Sequence, residues 1–262
     1  MGSGESIVLS GSAKKRVFAI VGITTLLAIS VFIVDWMNYF NKTAYTYTVY
    51  AKPVITLLAF ALLLNARGNK LEEGDWQWVF RAFLCMIATD ILMSVVIASP
   101  TLSVGSILFM VGGVLSIVAH VFLIIRMAQG FKFIRRLKPL DYWLPLVIYG
   151  SAAILLIVLW PDIVRVGHAP IAPVYTAFFC TTMWVAWENV RQKTFPKINA
   201  YMAAIAATCW YATEILGEIY NLELGNISEI TFCLVWVFYG SNVVLWALST
   251  YRWTRRSKNR HR

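Results

Sequence analysis

The sequence predicts an all-α, polytopic membrane protein with eight transmembrane helices, and three observations predict it. First, 59% of the 262 residues are hydrophobic and only 14% are charged, whereas about a quarter of a soluble domain is charged. Second, eight stretches of roughly 18–24 mostly apolar residues recur along the chain, each near the ~20 that span hydrocarbon as a helix. Third, 20 of the 23 lysines and arginines fall on one side of the resulting map. That asymmetry orients a multi-pass chain with its basic side in the cytosol. It works only with an even helix count, and it places both termini on the cytoplasmic side, here called side A.

In chain order, residues 1–16 (MGSGESIVLSGSAKKR) form a polar tail. The apolar run behind it is too long for a secretory signal core. The spans follow near 17–37, 45–65, 79–98, 104–125, 142–160, 170–187, 198–220 and 229–250. The second contains Lys52 and Pro53, and the sixth opens on two prolines. Residues 251–262 form a basic tail with Arg252, Arg255, Arg256, Lys258, Arg260 and Arg262. The charge asymmetry accounts for these cations as topology signals near anionic lipid, so nucleic acid is not an expected partner. Cys85, Cys180, Cys209 and Cys233 all lie inside spans without CxxC spacing. They read as small packing residues rather than disulfides or metal ligands.

The chain also repeats itself. ATDIL (88–92) in the third span matches ATEIL (212–216) in the seventh at an offset of 124 residues. PVIT (53–56) in the second matches PVYT (173–176) in the sixth at an offset of 120. Four spans per copy is an even number, so the halves would share orientation about an axis along the membrane normal. Asp90 and Glu214 then become symmetry mates facing each other across a central cavity.

An acid at the centre of a membrane helix costs about 2.5–3.5 kcal/mol on insertion scales, so it is paired, turned inward or functional. The polar residues within the spans are Lys52, Asp90, His120, Glu214, Glu218 and Asn242, with Tyr239 one turn from Asn242. By helical rise, Lys52, Asp90 and Glu214 sit roughly 9–12 Å below the face opposite side A, side B. Asp35 and Glu218 fall close enough to that face to be solvated. Lys52 reads either as the counter-charge of Asp90 or as a side chain snorkelling to the interface. His120, Tyr239 and Asn242 read as interhelical hydrogen-bonding residues. The pair Asp90 and Glu214 is the candidate catalytic centre. Two carboxylates near one another in low dielectric cannot easily both ionise, and the result is an acid and a base made from like groups.

In order along the chain, these residues resemble the lysoplasmalogenase family of YhhN-like integral membrane proteins. Lys52-Pro53 corresponds to the family's early Lys-Pro, and Asp90 in ATDILM to its Gly-Asp. Phe109, Gly112 and His120 match its Phe, Gly and His, Thr213-Glu214 its Ser-Asp, and Tyr239-Gly240-Ser241-Asn242 its Tyr-x-Ala-Gln. Thr89 stands where the family has Gly, Glu214 where it has Asp, and Asn242 where it has Gln. The resemblance implies eight helices and hydrolysis of the vinyl-ether bond of lysoplasmalogens, which are lysophospholipids, to a fatty aldehyde and glycerophosphoethanolamine or glycerophosphocholine. It implies Asp90 and Glu214 as the catalytic pair, with Lys52, His120, Tyr239 and Asn242 binding substrate or supporting them. No cofactor or metal is called for. The partners are membrane lipids and the lysophospholipid substrate. The location is a bacterial inner membrane or a eukaryotic endoplasmic reticulum or other endomembrane. Two alternatives use the same residues: a non-catalytic lipid-binding membrane protein and a proton-coupled transporter.

Overall fold

A backbone with no water to bond must satisfy its own N–H and C=O groups, and long apolar runs do so as helices. The computed structural model describes residues 11–43, 46–99, 106–128, 131, 134 and 139–253. These hold eight α-helices: α1 (Gly11–Asn41), α2 (Thr46–Asn65), α3 (Glu73–Ala98), α4 (Ile107–Ala128), α5 (Trp143–Arg165), α6 (Ala172–Gln192), α7 (Lys197–Asn221) and α8 (Asn226–Leu248). Short 3-10 turns at Ala66–Gly68 and Pro139–Tyr142 complete the described regular structure, apart from an isolated bridge between Lys70 and Tyr251. The first helix begins at Gly11, so Lys14, Lys15 and Arg16 belong to it rather than to a tail. Lys132, Arg135, Arg136, Lys138, residues 1–10 and residues 254–262 lie outside the described residues.

Six helices, α1 to α5 and α8, are long and apolar enough to cross a membrane. The other two, α6 and α7, have the length, at 21 and 25 residues. They fall short in apolarity because they carry more polar residues, among them the buried Thr182 and Glu188 of α6 and Thr213 of α7. Peripheral surfaces are greasy: Leu26, Ile33 and Phe40 on α1 and Leu146, Ile157 and Val158 on α5 are exposed. An apolar surface of that extent marks contact with lipid or another chain.

The helices close into a ring in the order α2, α3, α4, α6, α7, α8 and back to α2. Outside the ring, α1 packs on α2 and α8, while α5 packs on α6 and makes no comparable contact with α4. Within the ring, α3 and α7 stand opposite each other. Pairings between helix ends set the directions. Lys42 at the end of α1 meets Glu229 at the start of α8 (2.9 Å), and His168 in the α5–α6 turn meets Glu218 near the end of α7 (3.0 Å). This end corresponds to side B.

Large apolar side chains pack the side-A half. Leu62, Leu63, Phe83, Leu123 and Trp246 are all fully buried there, and Ala203, Ala204 and Ala207 let α7 approach its neighbours closely. A polar clasp closes that end. Arg126 holds both carboxylate oxygens of Asp75 (2.6 and 3.1 Å) and donates to Ser249 Oγ (2.7 Å), while Asn199 donates to the carbonyls of Ser249 and Tyr251 (2.7 Å each).

Pro53 lies inside α2. Its missing N–H frees the carbonyl of Val49, four residues earlier, and the Ser94 hydroxyl of α3 donates to that carbonyl at 3.2 Å. The prolines of the sixth span are placed differently: Pro173 occupies the first turn of α6, where no intrahelical donor is lost.

Candidate active site

The side-B half of the ring contains a cavity of about 240 Å³. Asp90 reaches it from α3 and Glu214 from α7, the opposed helices. Both carboxylates line this one cavity.

Each acid is held by two donors. The Tyr239 hydroxyl donates to both oxygens of Asp90 (2.8 Å each), and the Thr56 hydroxyl donates to Asp90 Oδ2 (2.5 Å). Glu214 accepts from the Trp210 indole N–H, one turn earlier on α7, and from the Tyr175 hydroxyl. Tyr175 is in turn 2.7 Å from the Ser116 hydroxyl. An indole N–H can only donate, so Glu214 Oε1 is the acceptor in that contact. Much of the remaining lining is apolar, and the peripheral helix α5 supplies Ala152, Leu155, Leu156, Leu159 and Ile163.

Of the residues predicted from sequence, Asp90, Glu214 and Tyr239 therefore meet in one cavity. Lys52 lines an adjoining chamber of about 130 Å³ that shares Asp90 and Tyr239 with the first. Its counter-charge is not Asp90 but Asp35 of α1, 2.9 Å away. The sequence placed Asp35 among solvated groups, yet it is fully buried, because α1 packs against the ring and covers it. Lys52 Nζ also sits 3.4 Å from the ring centre of Phe232 and 5.0 Å from that of Trp236, which offsets part of its desolvation.

His120 and Asn242 stand behind the wall rather than in it. His120 packs on Trp210 with ring centres 4.0 Å apart and meets Tyr175 edge-on, so it braces both donors of Glu214. Its Nδ1 is 2.9 Å from the Thr182 hydroxyl, while Nε2 has no hydrogen-bond partner among the described residues. The Asn242 amide is fully buried with neither atom bonded among them. Thr89, which replaces the resembled family's glycine, donates to the Gly112 carbonyl (3.2 Å) and ties α3 to α4.

Sequence reasoning missed Thr56, Tyr175, Trp210, Glu218 and His168. Thr56 and Tyr175 stood inside the duplicated PVIT and PVYT strings. Trp210 and Glu218 flank Glu214 at one helical turn, a spacing that puts all three on one face. Glu218 lines the cavity and pairs with His168, whose ring stacks on Phe109 at 4.7 Å. His168 lies in a turn and carried no periodic signal. Among the described residues no cluster of three His, Cys, Asp or Glu side chains has metal-binding geometry. Comparison with protein-family models, curated proteins and solved structures gives no match.

Proposed function

We propose that this chain is a membrane-embedded hydrolase that cleaves the vinyl-ether bond of a lysoplasmalogen, using Asp90 and Glu214. The observation that carries this reading is the shared cavity. Two carboxylates, each oriented by two donors, converge in a chamber whose walls otherwise suit an alkyl chain. The chamber lies in the side-B half, and its walls include the apolar side chains Leu155, Leu156, Leu159 and Ile163 of α5, which supports an alkyl-chain ligand.

The chemistry follows from the pair. One carboxylic acid protonates the vinyl carbon beyond the ether-bearing one, leaving an oxocarbenium ion. The other carboxylate faces that cation and takes a proton from water as the water adds. The hemiacetal then breaks its C–O bond to the glycerol: the carboxyl group protonated by water gives that proton to the leaving oxygen, and the other takes the hemiacetal hydroxyl proton as the C=O forms, releasing aldehyde and the glycerophospholipid head. One water is consumed, and the two carboxyl groups return to their starting states. Glycosidases divide the work between two carboxyl groups in the same way.

The reading includes eight spans arranged as a four-plus-four parallel repeat. The helix contacts support it: α3 with α4 mirrors α7 with α8, α2 with α3 mirrors α6 with α7, and α2 with α8 mirrors α6 with α4. The hydrogen bonds repeat as well. Asn65 of α2 donates to the Tyr251 hydroxyl, and Asn189 of α6 donates to the Met127 carbonyl. Asn65 and Asn189 are 124 residues apart, as are Met127 and Tyr251, and Asp90 and Glu214.

The test is aldehyde release from lysoplasmalogen by purified protein, wild type beside Asp90→Asn. General acid–base groups contribute about 10²–10⁴-fold, so Asp90→Asn should release aldehyde at least about 100-fold more slowly while melting near the wild-type temperature. No aldehyde above background from folded wild type would leave a lipid-binding role and remove the hydrolase.

A further inference from the structure

The charged side chains lining the main cavity are one-sided. Asp90, Glu214 and Glu218 all face it, and no lysine or arginine does among the described residues. The nearest buried cation, Lys52, belongs to the adjoining chamber and is committed to Asp35. Asp90 and Glu214 are each held by two donors deep in the ring. Glu218 differs. It lies one turn nearer side B, its side chain keeps 28% of its exposure, and its described partner is the His168 ring. The His168 Nδ1 lies 3.0 Å from Glu218 Oε1 and 3.2 Å from Oε2, so the ring fixes the direction in which the carboxylate points. Phe109 backs that imidazole, and the rings of Tyr220 and Trp236 also line the cavity.

We propose that Glu218, oriented by His168, is the receptor for a positively charged amine at the head of a single-chain amphiphile. A carboxylate in a cavity that aromatic side chains also line is an environment suited to ammonium and quaternary ammonium groups. A cavity lined by three carboxyl groups, one of them the proton donor of the proposed reaction, and by no lysine or arginine among the described residues disfavours an amphiphile whose head is only a phosphate. The proposal deepens the hydrolase reading by naming what selects the head group, and it rests on that reading for the identity of the lipid. It places the ammonium near side B, the alkyl chain along α5 and the reacting bond between Asp90 and Glu214.

The test uses saturated palmitoyl lipids, which have no vinyl ether, so binding is read without hydrolysis. Purified protein in nanodiscs is titrated by displacement of a fluorescent monoacyl probe with lysophosphatidylcholine, lysophosphatidylethanolamine, lysophosphatidic acid and monoacylglycerol. Wild type should bind the two ammonium lipids at least about tenfold more tightly than lysophosphatidic acid. Glu218→Gln should reduce that preference to less than about twofold while holding monoacylglycerol as wild type does. Equal binding of all phospholipids by wild type, or an undiminished preference in Glu218→Gln, overturns the proposal. Should Glu218→Gln lose monoacylglycerol as well, Glu218→Asp decides: a retained ammonium preference supports the receptor, and its loss counts against it. A protein that shows the preference but releases no aldehyde from lysoplasmalogen keeps the head-group site and loses only the hydrolase.

Discussion

Burying a lysine and an aspartate together is costly unless they pair closely, and Lys52 and Asp35 do, at 1% and 0% side-chain exposure. Removing one partner leaves an uncompensated charge, which costs about 3–5 kcal/mol, whereas replacing both with apolar groups of similar volume is often neutral. Lys52→Met should therefore lower the unfolding midpoint in detergent sharply, and Lys52→Met combined with Asp35→Leu should recover most of it. A single variant that melts with wild type would show that the pair does not anchor α1. Partner choice of this kind was hidden in the sequence. Depth along a helix can be counted from residue numbers, but whether Lys52 turns toward Asp90 or Asp35 depends on where α1 docks. The same limit explains Glu218, which counting placed near the surface while α7 turns it into the cavity. Asp90 and Glu214 were legible because an acid far from either end of an apolar run has few places to go.

At the scale of the element, the prolines separate what a pattern says from what packing decides. PVIT and PVYT look alike in sequence, yet Pro53 interrupts α2 and Pro173 opens α6. Ser94 repairs the interruption by donating to the Val49 carbonyl, a partner that no local pattern announces. Ser94→Ala should cost about 1–2 kcal/mol, the penalty for leaving a buried acceptor unmet. In a Pro53→Ala background the restored N–H of residue 53 can bond Val49 within α2, and the same serine change should cost close to nothing. A double-mutant cycle on unfolding midpoints reads this coupling directly. Additive effects would mean that Ser94 serves some other neighbour. Helix existence was legible from length and hydropathy alone. Several ends were not: α1 and α3 extend at least six residues ahead of the expected spans and α5 and α6 five residues beyond them, because a helix that continues past the membrane surface follows rules other than hydropathy.

For the whole molecule, the decisive question is whether α6 and α7 cross the bilayer, since their composition is the least apolar of the eight and they carry Tyr175 and Glu214. Polar residues turned toward a cavity do not meet lipid, so a helix can span while failing a test based on composition. Eight crossings place Lys42 after α1 and Glu223 after α7 on one face, with Lys193 after α6 on the other. All three positions are exposed. Single cysteines introduced there, in a background with Cys85, Cys180, Cys209 and Cys233 replaced, can be labelled by a membrane-impermeant maleimide in sealed vesicles of known orientation. Lys42→Cys and Glu223→Cys should label from the same side, and Lys193→Cys only from the opposite side or after permeabilisation. The Lys42–Glu229 contact already ties the end of α1 to the start of α8, so Glu223, just ahead of α8, is held to that face. Labelling of Lys193→Cys and Glu223→Cys from one face would mean that α7 turns back without crossing. Glu214 would then no longer oppose Asp90 within the membrane, and the carboxylate pair would lose the low-dielectric setting on which its division into acid and base depends.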